Sequence, residues 1–217
     1  MKKTISTILI IIGVMLILTL FLSEEIIKYF SNNIVDDEIS NEVLISNNSR
    51  DIEGEFDYDA IEDVDIMGVL RSSFQINKDL IIGTIMIADL DLDLPIMKGL
   101  SGSNLMLGAS TMKADQSFGQ GNFSLAGHYM KNKDLLFGSL MDIELDTMVY
   151  VSDGKKMYEY KIYETLVVPD TALEMISDDK ADEVGKPVIS LMTCYFTSKS
   201  GKRFFALGEL VDEYNVD

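Results

Sequence analysis

One cysteine and one histidine occur in a chain of 217 residues, so nucleophilic chemistry here has few side chains to run on. Each closes an apolar run. His128 ends Ser124-Leu125-Ala126-Gly127-His128, and Cys194 ends Ser190-Leu191-Met192-Thr193-Cys194. Arg203 follows the cysteine by nine residues, across the polar stretch YFTSKSGK. An antiparallel hairpin over 194–203 would bring the arginine close to the sulfur. A thiol attacks as its thiolate, which a neighbouring imidazolium favours electrostatically. A guanidinium keeps its charge at working pH and can hold a developing oxyanion or a substrate carbonyl. The three types together make an acyl-transfer site. Taken singly they have plainer readings: a small buried hydrophobe, a hydrogen-bonded structural histidine and a solvated strand-end arginine.

The same scarcity closes other routes. A lone cysteine excludes an intramolecular disulfide framework and a Cys-cluster zinc site. A lone histidine excludes metal centres that need two imidazoles. With 18 Lys+Arg against 36 Asp+Glu the formal charge is −18, so no nucleic acid is expected as a partner, because phosphates must be neutralised by Lys and Arg. At 47% hydrophobic residues the chain can build a core.

The elements that must position the three residues read as mainly β. Runs rich in β-formers, separated by turn residues, predict strands at 81–88, 92–97, 104–109, 122–130, 147–152, 157–168, 188–194 and 203–211. Ser152-Asp153-Gly154-Lys155 is a hairpin turn signal. Tyr158, Tyr160 and Ile162 alternate with Glu159, Lys161 and Tyr163, as a strand with one wet face requires. Residues 135–140 and 171–176 read as short helices. Eight strands with few helices imply a closed or nearly closed barrel.

Ahead of this unit, Lys2 and Lys3 precede a largely apolar run over 5–22. Eighteen residues rising ~1.5 Å each span the hydrocarbon core of a bilayer. The lysines before the run and Glu24 and Glu25 after it keep the N-terminus cytoplasmic. No Ala-x-Ala-like exit follows, so the run is expected to be an uncleaved transmembrane anchor rather than a cleaved signal. Residues 23–65 hold 14 acidic and 2 basic side chains and read as a solvated acidic linker. Ile61, Val64 and Val69 stand at helical spacing, so a short helix is expected where the folded unit begins. The expected division is a tail at 1–4, an anchor at 5–22, a linker at 23–58 and a catalytic domain at 59–217.

The words around the three residues carry more. Leu125-Ala126-Gly127-His128, Leu191-Met192-Thr193-Cys194 and an Arg nine residues later resemble the sortase family of Gram-positive cell-surface transpeptidases. Ile82-Gly83-Thr84-Ile85-x-Ile87, Leu94-Pro95-Ile96-x-x-Gly99, Gly108-Ala109-Ser110-Thr111-Met112-Lys113-x-Asp115-Gln116 and Gly119-x-Gly121-Asn122-Phe123 look like class A of that family. Ser190 stands where the family's cysteine motif usually opens with Thr, a change that keeps a hydroxyl.

The resemblance implies an eight-stranded sortase barrel that acts on LPxTG-like (Leu-Pro-x-Thr-Gly) sorting signals of exported proteins. Cys194 would attack the Thr carbonyl to form a thioester. His128 would serve as acid toward the departing Gly amine and then as base for the incoming one. Arg203 would steady the oxyanion or the substrate backbone. Thr193 would help shape the oxyanion site. Ala109 and Ala126 match positions lining the groove, and Val168 opens the segment to Pro187 that corresponds to the family's mobile substrate-covering loop. The second substrate would be an amine on a peptidoglycan precursor of the lipid II type. At reference values near ~8.5 for Cys and ~6.5 for His, the neutral pair dominates at pH 7, so modest turnover is expected.

Some class A enzymes use calcium, but the matching stretch KADQSFGQG carries only Asp115, too few carboxylates for that ion. Asp89, Asp91 and Asp93 alternate and are expected on one wet strand face, without EF-hand spacing. No metal or other cofactor is expected. The three prolines, Pro95, Pro169 and Pro187, leave no Asp-Pro-aromatic lid motif of the pilus-building type, which favours a housekeeping role. Two rival readings stand beside this one: an L,D-type wall transpeptidase, whose Ser-x-Gly-Cys word is absent, and a non-catalytic membrane-tethered β-barrel.

Overall fold

The computed structural model describes residues 5–15, 39–50, 52–58, 61 and 77–216. Among these, eight strands close into a barrel: β1 (Ile81–Ile87), β2 (Leu92–Met97), β3 (Ala109–Thr111), β4 (Asn122–Ala126), β5 (Met148–Ser152), β6 (Lys156–Pro169), β7 (Val188–Cys194) and β8 (Lys202–Asn215). Their order around the barrel is β1-β2-β3-β4-β7-β8-β6-β5. The β2–β3 and β4–β7 pairs are parallel, while the other pairings are antiparallel.

The buried pattern follows the sequence period. Along β6, Tyr158, Tyr160 and Ile162 face the core while the residues between them are partly exposed. This is the alternation expected of a strand with one wet face. Every residue of β7 is buried, because it lies between β4 and β8 and is covered on both faces, which makes it a continuous apolar run. Register shifts at Glu159/Tyr160 and Ile162/Glu164 bend the long β6–β8 ribbon around the barrel.

Four expectations change. Of residues 104–109 only Ala109 is in a strand: Gly102–Leu107 is a short helix, and its N-cap Ser101 accepts from the Asn104 N–H at 3.3 Å. A short apolar run has no period long enough to separate helix from strand, and the cap decides it. Residues 135–140 are turns around Leu136, which has φ 48°, with a 3-10 turn at Leu140–Asp142. The second expected helix shortens to a 3-10 turn at Leu173–Ile176, followed by a helix at Asp179–Val184. Asp89 lies in a 3-10 turn and Asp91 at φ 50°, both in the β1–β2 connection, so of the three aspartates only Asp93, exposed on β2, has the expected wet strand face.

The N-terminal portion is described only in part. Residues 5–15 are helical with exposed apolar side chains. Residues 16–22 of the expected anchor lie outside the described residues, and no helix among the described ones is long and apolar enough to cross a membrane. The part of the acidic linker that is described does not stand off as a spacer. A helix at Asn41–Asn48 buries Leu44 against the barrel. The Asn47 amide donates to the carbonyls of Lys78 and Ile81, and the Asn48 amide to that of Ile82. Burying one leucine contributes about 1.5–3 kcal/mol, whereas an exposed pair such as Arg50–Asp79 contributes at most about 1 kcal/mol. Burial and the amide bonds therefore hold this helix down. The chain then runs alongside Leu100, which donates to the Glu55 carbonyl at 2.6 Å and accepts from Asp57 N at 2.8 Å. Gly54 and Gly99 meet there so closely that a Cβ on either would lie 2.9 Å from the other's Cα. The expected helix around Val64 and Val69 lies outside the described residues, and Ile61 is buried.

Candidate active site

Strand pairing brings the three sequence-predicted residues to one end of the barrel. β4 and β7 run parallel with Ala126 opposite Met192, and β7 pairs with β8 so that Cys194 stands opposite Arg203. His128 follows β4 by two residues, Cys194 is the last residue of β7, and Arg203 is the second of β8. Directly opposed residues project to the same face of a sheet, so Cys194 and Arg203 share one face of the β7–β8 pair. Arg203 Nη1 donates to the Lys202 carbonyl at 3.1 Å. His128 is buried, and Cys194 is 2% exposed.

The backbone at His128 is clamped from three sides. Gly127 N donates to the Met192 carbonyl at 3.0 Å, and Phe137 N donates to the His128 carbonyl at 3.2 Å. The Thr193 hydroxyl donates to the Gly127 carbonyl at 2.9 Å. A side chain at Gly127 would put its Cβ 2.5 Å from the Phe137 ring, so only glycine lets that ring pack here. Thr193 is fully buried, and its hydroxyl is placed to hold the β4 end in register with the β7 end.

Beside Arg203 lies a cavity of about 100 Å³, lined by Tyr58, Met112, Ile176, Met192, Arg203 and Phe205 among others. One wall comes from the segment after β6, and a polar network holds it. The Asn122 amide donates to the carbonyls of Met175 and Ser177, each at 3.0 Å, and Ser190 Oγ donates to Met175 O at 3.0 Å and to Asn122 Oδ1 at 2.8 Å. Asp178 accepts from Lys113 Nζ at 2.6 Å and from Asn122 N at 2.8 Å. Those two donors lower its carboxyl below the ordinary value. The segment from Val168 to Pro187, which the resemblance makes a mobile loop, is thus tied to the barrel at Asp178.

The thiol is covered by the chain's own N-terminal segment. Cys194 Sγ lies 3.8 Å from the Ile61 carbonyl as its donor, and Ile61 packs in one apolar cluster with Cys194, Met192, Ala126 and Phe205. Tyr58 anchors the same segment by donating its hydroxyl to the Met112 carbonyl at 2.7 Å. Burial and the nearby Asp115 raise the Tyr58 phenol, which keeps it a donor.

The groove residues divide. Ala126 shares the cluster of Cys194, and Val168 packs against that cluster as the strand partner of Arg203. Ala109 lies in the barrel's interior cluster instead. The sequence reading missed the Ile61 cover, the Asn122 anchor and the Phe137 contact at Gly127. Only the adjacency of Gly127 to His128 carried a local signal. Among the described residues no group of three or more His, Cys, Asp or Glu is arranged to hold a metal ion.

Known proteins resemble the chain in sequence and in fold. The family profile described as Sortase domain matches residues 85–211. The chain is 33% identical over 210 residues to Sortase A of Listeria monocytogenes, covering 97% of this chain and 91% of that protein. Sortase A of Bacillus anthracis is 34% identical over 155 residues, 71% of this chain and 70% of that one. The crystal structure of the Listeria monocytogenes enzyme superposes with a TM-score of 0.58, covering 64% of this chain and 92% of that one. A Clostridium perfringens Sortase D5 transpeptidase also reaches 0.58, and at 15% identity it attests the fold alone.

Proposed function

The chain belongs to the sortase family of cysteine transpeptidases, and on that premise we propose that it cuts LPxTG-like sorting signals between Thr and Gly and joins the freed carbonyl to a cell-wall precursor amine. The observation that carries this reading is the register of Cys194 opposite Arg203, beside the clamped His128 end of β4.

The steps follow from those positions. The Cys194 thiol passes its proton to the imidazole of His128, and the thiolate attacks the Thr carbonyl carbon. Arg203 stabilises the negative charge that gathers on the carbonyl oxygen. As the C–N bond breaks, the imidazolium returns its proton to the departing Gly nitrogen, leaving a thioester. An incoming primary amine then attacks the thioester carbon and loses a proton to His128. The C–S bond breaks, and the sulfur is reprotonated.

A thiol 2% exposed beneath the Ile61 carbonyl meets a peptide only when Ile61 yields its place. The apolar run at 5–22 serves as a single-pass membrane anchor, with the N-terminus cytoplasmic and the barrel outside. Substrates arriving at the membrane surface and a lipid-linked amine suit that placement.

The test uses the full-length protein in detergent with a quenched Leu-Pro-x-Thr-Gly peptide and a Gly- or Ala-terminated amine. Wild type runs beside Cys194→Ala, and mass spectrometry reads the products. Cutting between Thr and Gly with a joined product, both lost in the variant, is the expected result. An intact peptide, with no mass adduct on Cys194 across a panel of motif variants, defeats the reading.

A further inference from the structure

Among the described residues, four that are not glycine have positive φ: Asp91, Leu136, Asp146 and Phe196. Aspartate tolerates this region, but a bulky side chain there is a strained outlier. Leu136 is buried in the core, where packing offsets the strain. Phe196 has φ 62° and its side chain is 57% exposed. Its strain therefore holds a ring in solvent, two residues past the nucleophile.

That ring bridges the ends of two strands. It meets Tyr129 edge-on, with centroids 6.0 Å apart at 82°, and Tyr195 at 4.6 Å and 60°. Tyr129 directly follows His128 and packs against the cluster that contains Cys194. Tyr195 directly follows Cys194, and its N–H donates to the Lys202 carbonyl at 3.2 Å, which closes the loop carrying Phe196. Across β4, β7 and β8 the order is His128, Cys194, Arg203. The cavity with Arg203 is lined by neither aromatic, and the aromatic pair joins Tyr129, the residue after His128, to Phe196 in the β7–β8 loop.

We propose that Tyr129 and Phe196 form the acceptor-side platform of the site, gathering the primary ammonium that resolves the thioester. This rests on the transpeptidase reading, in which the departing and the incoming amine both exchange a proton with His128 and so pass on its flank. An alkylammonium is attracted to the faces of aromatic rings, and the rings also cover its aliphatic stem. The ammonium first releases a proton to solvent. The neutral amine then attacks the thioester carbon, its second proton goes to His128, and the sulfur leaves. Phe196 and Tyr129 bind, and they take no proton.

The experiment measures full-length wild type, Phe196→Asn and Tyr129→Leu with the quenched peptide while the acceptor, triglycine, is varied. Asparagine accepts the left-handed backbone and removes only the ring. The expected result is a rise of about two- to fivefold in the acceptor KM, the range of an exposed cation–π contact. Peptide KM and the rate of hydrolysis without acceptor should stay near wild type. Phe196→Gly, which relieves the backbone, should lose the same acceptor affinity without lowering Tm. An unchanged acceptor KM in active variants overturns the inference alone, as does an equal fall in hydrolysis and transfer, the mark of a purely structural role. A wild type that forms no thioester removes the transpeptidase reading and this inference with it.

Discussion

The strands β4, β7 and β8 carry two apolar faces, and the two are sealed by different means. The inner face, with Phe123, Leu125, Ile189, Leu191, Phe204 and Ala206, is enclosed by the other strands of the barrel. The outer face, with Ala126, Met192, Cys194, Phe205 and Leu207, is covered by Ile61 of the N-terminal segment and by Met175 and Ile176 of the segment after β6. Both faces are dry. The inner cover belongs to a closed hydrogen-bonded ladder, while the outer one is held by two backbone bonds to Leu100, a few side-chain bonds and apolar contacts. The proposed chemistry sits on the face whose cover is not part of the barrel's own ladder.

Truncation on each face gives the largest contrast. Leu191→Ala leaves a cavity that the closed barrel cannot collapse, so a loss of about 3–5 kcal/mol is expected in urea unfolding. Met192→Ala lies under the movable cover, which can settle into the gap, and should cost near ~2 kcal/mol. Equal losses would mean the two covers are equally rigid, and the distinction would fall.

A smaller effect sharpens the same point. Tyr58→Phe removes the hydrogen bond to Met112, a net contribution of about 0.5–1.5 kcal/mol. If that bond holds the cover over Cys194, kcat/KM for the peptide should rise by about two- to tenfold at that energy. Iodoacetamide should also alkylate the thiol faster. A variant with unchanged alkylation would show that the Tyr58 bond does not govern access.

The smallest effect concerns the other part of the cover. Asp178 carries a carboxyl lowered by Lys113 and Asn122 N–H, so its contribution to stability is present above the ordinary carboxylate range. It is lost as pH falls through that range to the lowered value. The difference in urea midpoint between wild type and Asp178→Asn should be small at pH 6 and shrink toward zero as pH drops below about 4. The group is largely exposed, so solvent screening keeps the effect modest. A difference that grows on acidification would contradict the pairing.

Much of this arrangement was legible residue by residue. The alternation in β6 and the unbroken apolar run of β7 announce their burial, because side chains alternate faces along a strand. Cys194 and Arg203 lie on one hairpin, so their apposition follows from a short loop. His128 and Cys194 were tied by motif rather than by spacing, since 65 residues separate them and only the parallel β4–β7 pairing joins them. The 102–107 helix was misread for want of length, and the described part of the acidic linker for want of a view of its docking surface. Charge density marks solvation, yet Leu44, Asn47 and Ile61 find partners on the barrel.

By itself the sequence determined the reactive types, the strand runs that carry them and the absence of any second thiol or imidazole. Those are properties of composition and local period. The tertiary structure alone decided that the Ile61 carbonyl, 133 residues away in sequence, lies against the sulfur. It alone also decided that Asn122 ties down the segment after β6, and that a strained phenylalanine stands open against Tyr129, the residue after the histidine. These depend on loop closure across the barrel, and no local pattern encodes which distant groups meet once the strands have closed.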